Sequence, residues 1–160
     1  VFSEFAQAFV IPGSAKQLGL TLSVVHFTDN GGGPPDAFEV ALLDAASKTP
    51  LTGTAQGLTL TDALFNLQSD GTVFFAPGVT VQGAAYSGAH IDLTHSIAVS
   101  IDISALPSGT AALLSLDLLG FGSSGSSVSI DDVQFDEGVV NAAPIASASK
   151  VFRNIRISFD

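Results

Sequence analysis

The sequence predicts an all-β fold: a two-sheet antiparallel jelly-roll sandwich of about 8–10 strands with a C-terminal extension strand. Three observations lead there. Short runs alternate apolar and polar residues, the period-two pattern of a strand with one buried face. Gly, Pro, Ser, Asn and Asp punctuate those runs at close intervals, as turns require. Helical periodicity is nearly absent; Thr61–Leu67 supports a single turn and no more.

Taken in order, Phe5, Gln7 and Phe9 alternate with alanines before Pro12-Gly13 turns the chain. Leu18, Leu20, Leu22 and Val24 then make one face of a second strand. The loop TDNGGGPPD at Thr28–Asp36 is too rich in Gly and Pro for regular structure. A third strand, AFEVALLD, follows at Ala37–Asp44, and a connection of small residues leads to Asp62–Gln68. Ser69-Asp70-Gly71 turns that segment into Thr72–Phe75 as a hairpin. Val79–Val81 starts another strand before a glycine-rich stretch. His95–Ile103 and Thr110–Leu119 are two further strands about the turn Pro107-Ser108-Gly109. The body closes with SSVSIDDVQFDE at Ser126–Glu137.

That last strand conflicts with its own alternation. Val128, Ile130 and Asp132 share one face, and Asp131, Val133 and Phe135 share the other, so either burial takes a carboxylate inward. A lone buried carboxylate costs several kcal/mol or takes up a proton. Either a bulge at Asp131–Asp132 turns one outward, or a cation meets it.

Three segments emerge: a β-sandwich domain over 1–137, a linker over 138–149 and an amphipathic strand over 150–160. At 160 residues and 46% hydrophobic, the chain suits one folded domain rather than a disordered one, and no apolar run reaches the ~20 residues of a membrane span. It contains no cysteine, so stability rests on the core and on any bound metal. Its valine start and lack of methionine fit a mature secreted product or a fragment. The net charge of -10 argues against nucleic acid as a partner. Residues 1–149 hold 14 acidic and 2 basic side chains, against Lys150, Arg153, Arg156 and Asp160 in the tail.

Calcium takes six to eight oxygen ligands, and the candidates are Glu4, Asp29, Asn30, Asp131 and Asp132. First and last strands are often sheet neighbours in a jelly roll, which would bring Glu4 to Asp132. The same residues are also consistent with solvated acids on an acidic surface. The segments FVIP, PPDAFEVALLD, DALFNLQSDGTVFFAPGVTV, LLSLDLLGFG and SSVSIDDVQF resemble modules of large secreted bacterial surface proteins. Their fold is similar to that of calcium-binding carbohydrate-binding modules. The resemblance implies a calcium-stabilised sandwich, with Asp131 and Asp132 matching the calcium-bearing pair and Glu4 an N-terminal ligand.

Glycan recognition usually employs exposed Trp or Tyr, and the chain has no Trp and only Tyr86, a weak ligand-binding candidate. Its twelve Phe read as packing residues. No nucleophile elbow, zinc-binding helix motif or phosphate loop is present, and adjacent Asp131 and Asp132 do not flank one scissile bond. His90 and His95, five apart, would point to opposite faces of one strand. The expected role is therefore non-catalytic.

The tail offers Ile155, Ile157 and Phe159 as alternating plugs, with Arg153 and Arg156 drawn to the acidic body. Pairing in cis, on its own sheet, and donation to a neighbour, as in pili and biofilm-matrix fibres, both fit. The sequence thus predicts an extracellular or cell-surface structural or adhesive module, or a fibre subunit, whose partners are other copies or neighbouring modules. The alternative is a calcium-dependent carbohydrate-binding module of a larger secreted protein.

Overall fold

A computed structural model describes residues 2–28, 32–121, 125–136, 150–152 and 155–158. It is all-β, with two antiparallel sheets packed face to face. The strands are β1 (Phe2–Val10), β2 (Gln17–His26), β3 (Ala37–Asp44), β4 (Phe65–Gln68), β5 (Thr72–Phe75) and β6 (Val79–Val81). They continue as β7 (Ala89–His90), β8 (Ile97–Asp102), β9 (Ala111–Leu119), β10 (Ser127–Asp136), β11 (Lys150–Phe152) and β12 (Ile155–Ser158). The described residues therefore form twelve strands. The surplus over the sequence expectation includes two- and three-residue pieces such as β7 and β11, too short to leave a periodic signal.

One sheet runs β1-β9-β3-β4-β5-β7 and is called sheet A below. The other, sheet B, runs β10-β2-β8-β6, with β11 and β12 on the free edge of β10. The chain changes sheet at every connection of the body except the β3–β4–β5 meander, so neighbours in sequence mostly face each other across the core. Alternation does the rest. Leu18, Leu20 and Leu22 of β2 and Ile97, Val99 and Ile101 of β8 point inward, each at most 2% exposed. Phe38, Val40 and Leu42 of β3 and Leu114, Leu116 and Leu118 of β9 meet them from sheet A. Phe9 of β1 and Phe135 of β10 join the sheets edge to face, ring centroids 5.4 Å apart.

The phenylalanines are less uniformly core than expected: Phe38, Phe65 and Phe135 are buried, whereas Phe2 and Phe121 are more than half exposed. The turn anticipated at Thr61–Leu67 gives way to strand from Phe65, where pairing with β3 and β5 outweighs local preference.

The carboxylate conflict in β10 is resolved by a bulge. Pairing with β2 slips between Asp131 and Gln134, and Asp132 adopts a left-handed φ of 52°. The inward set thereby passes from Val128 and Ile130 to Val133 and Phe135, all 4% exposed or less. Asp132 is exposed and Asp131 half-buried, so neither enters the core.

The described residues of the tail lie on the chain's own sheet. β12 pairs antiparallel with β10 in the register Ser127↔Ser158, Val128↔Ile157, Ser129↔Arg156 and Ile130↔Ile155. Ile157 is 4% exposed, Ile155 packs partly against the core and Arg156 faces solvent. Arg153, Phe159 and the linker 138–149 lie outside the described residues, as do Asp29 and Asn30.

Candidate functional site

The outer face of sheet B carries a groove of about 370 Å³. Its floor is Gly19 of β2, which pairs with Ser100 of β8 on one side and Gln134 of β10 on the other. Because Gly19 has no side chain, the flanking residues rise around a depression. Gln17 stands at one end and Gln82, just past β6, on the far wall. Asp132 and Asp136 of β10 form the near wall. Ser100 Oγ donates to Gln17 Oε1 at 2.9 Å, and the Ala98 amide donates to Gln82 Oε1 at 3.3 Å. The groove therefore presents amides, hydroxyls and carboxylates from four strands over a backbone floor.

A second polar feature crosses the outer face of sheet A. The register sets Glu4 of β1 opposite Asp117 of β9, Asp117 opposite Glu39 of β3, and Glu39 opposite Asn66 of β4. Ser115 Oγ lies within 3.4 Å of Glu4 Oε1 and of both Asp117 carboxylate oxygens, although it has one proton to give. Asn66, 3% exposed, donates from Nδ2 to Glu39 Oε1 at 2.8 Å. Burial, then the charge of Glu4, pushes the Asp117 carboxyl up to about 6, with Ser115 opposing the rise. Glu39 is raised too, chiefly by burial, against the Asn66 hydrogen bond.

This row sets a pH dependence. A carboxyl whose folded pKa exceeds its unfolded value stabilises fully below the unfolded value, and that stability is lost as pH rises through the folded one. For Asp117 the window runs from 3.8 to about 6. Asp44, Asp70, Asp92 and Asp102 are lowered by local hydrogen bonds, so their contribution is present above 3.8 and lost on further acidification. Stability should thus peak at mildly acidic pH. Asp117→Asn should raise stability near pH 7 by about 1 kcal/mol, after discounting for solvent screening. Melting curves across the acidic and neutral range would check this; an unchanged pH profile in the variant would contradict it.

The sequence-derived candidates fall in separate places. Glu4 is in sheet A and Asp132 in sheet B, so first and last strands are not neighbours and these two carboxylates do not converge. The physical reason is that β9 flanks β1, while β2 takes the place beside β10. Glu4 therefore does not share one site with Asp131 and Asp132. Among the described residues no three His, Asp or Glu side chains converge to hold a metal. Tyr86 is 65% exposed between β6 and β7 and does not line the groove. His90 and His95 are not on one strand: His90 ends β7 beside Thr72, and His95 sits in a turn with Asp92, 2.9 Å away.

Several residues of these two faces escape a sequence reading. Asp117 and Glu39 read as the polar half of an alternating strand, and only the cross-strand register joins them. Gly19 carries the one local signal, a glycine inside an alternating strand. No family model, curated protein or solved structure matches the chain significantly.

Proposed function

We propose that the chain is a non-catalytic structural or adhesive module of an extracellular or cell-surface protein, or a fibre subunit, that assembles by placing its C-terminal strand on a neighbouring copy. The supporting observation is the setting of β12. It fills the edge of β10 with main-chain pairing and one buried plug, Ile157. An identical strand from another copy would make the same contacts in the same register, so exchange costs no native interaction. Charge favours a tail on any acidic body: residues 1–149 carry a net -12 and residues 150–160 a net +2. Light scattering over a concentration series tests it. The intact chain is expected to form higher species with rising concentration, and the chain lacking residues 150–160 to lose strand-linked species.

A second reading has its own observation. The groove on sheet B favours a carbohydrate-binding module, since amides and carboxylates are the groups that bind sugar hydroxyls. Calcium in that reading would not be shared between Glu4 and Asp132, which lie in different sheets.

A further inference from the structure

We infer that the groove on the outer face of sheet B is the binding site for a neutral oligosaccharide, held by hydrogen bonds from Gln17 and Gln82 across a floor made by Gly19. The inference rests on the carbohydrate-binding reading and supplies its location and ligand class.

Gly19 is the first ground. Glycine inside a strand is destabilising by roughly 0.5–1 kcal/mol relative to alanine. Nothing in the fold requires it here. The backbone at Gly19 is not left-handed, and an added Cβ would meet only the carbonyl oxygens of Val99 and Gln134, both at 4.0 Å. What the missing side chain does create is the depression itself, where a ligand can approach the sheet backbone.

The amides are the second ground. Gln17 and Gln82 are each tethered through the amide oxygen, by Ser100 Oγ and by the Ala98 amide respectively. These contacts, made at exposed side chains, orient both amides and leave both NH₂ groups as donors not used by the described residues. Pre-oriented donors lose little entropy on binding. Asp132 is the third ground. Its left-handed φ of 52° is strained for a non-glycine residue, and such strain gathers where a ligand is held. The bulge that imposes it also sets Asp132 on the groove wall.

Charge selects the ligand class. Two carboxylates and no Lys or Arg line the groove, which repels an acidic glycan. Those carboxylates lie on one strand only, and β2, β6 and β8 contribute neutral amides and hydroxyls, so a basic peptide would meet charge along a single wall. Groups that both donate and accept match sugar hydroxyls, which also do both. A volume of about 370 Å³ is at the lower end of ligand sites and takes a short stretch of sugar chain. No aromatic ring lines the groove, so stacking is missing and affinity per module is low.

The test titrates the isotope-labelled intact chain with cellohexaose, laminarihexaose and xylohexaose, followed by NMR, with an oligogalacturonate as acidic counterpart. Saturable shifts of the Gln17 and Gln82 side-chain amides are expected with at least one neutral sugar and not with the oligogalacturonate. Gly19→Val should keep or raise the melting temperature and weaken binding roughly tenfold or more. Gln82→Ala, on an exposed position, should weaken it about threefold and serves if the valine variant does not fold. Tyr86→Ala should leave binding unchanged. Binding that survives both groove substitutions, or that Tyr86→Ala abolishes, overturns the groove while leaving the carbohydrate-binding reading. No saturable response to any of the three neutral sugars overturns both.

Discussion

Replacing Asp36 with alanine is expected to destabilise the chain by about 3–4 kcal/mol and to lower its melting temperature by about 10 °C. Asp36 precedes β3 and is wholly buried. Its carboxylate accepts from the Phe121 amide at 3.0 Å and from Ser126 Oγ at 2.5 Å. Ser126, also wholly buried, in turn accepts from the Thr28 amide at 3.1 Å. The Asp36 carbonyl receives the Ser69 amide at 2.8 Å. One residue thus fastens the ends of β2, β4 and β9 and the start of β10 at one pole of the sandwich. A hydrogen bond to a charged group is worth about 1.5–3 kcal/mol, and truncation removes the carboxylate acceptor of both the buried Ser126 hydroxyl and the part-buried Phe121 amide. Asp36→Asn keeps one acceptor oxygen and should fall between the alanine variant and the parent. Thermal and urea unfolding measure both; a loss under about 1 kcal/mol for the alanine variant would show that the three loops hold without the carboxylate.

Deleting residues 150–160 has the second large effect. The deletion removes Ile157 from the core and Ile155 from its border, and bares the β10 edge along Ser127–Ile130. Burying one such side chain contributes about 1.5–3 kcal/mol, so a combined loss of about 3–5 kcal/mol is expected. A free peptide of residues 150–160 should bind the shortened chain and restore its melting temperature. A shortened chain as stable as the parent, or indifferent to the peptide, would mean that β12 adds nothing to the sheet.

The fold class was legible because each strand has one buried face and announces it locally. Even the bulge at Asp131–Asp132 could be foreseen, since alternation failed there and burying a carboxylate is costly. Other features depend on which strands become neighbours, and local pattern does not encode that. Glu4, Asp117, Glu39 and Asn66 come from four strands and form a row only through the register of sheet A. The groove likewise needs β10, β2, β8 and β6 in that order. Asp36 was hidden for a different reason. In PPDAF it reads as a solvated turn residue, and its burial follows from the approach of residues some ninety positions later.

A disulfide trap reports whether the C-terminal strand passes between copies. The chain contains no cysteine, so Ser129→Cys with Arg156→Cys introduces the only thiols, at positions facing each other across β10 and β12. The doubly substituted protein would be unfolded, refolded over a range of concentrations, oxidised and run without reductant. Strand donation predicts a ladder of disulfide-linked dimers and longer chains that grows with concentration. An internally linked monomer at every concentration would contradict it.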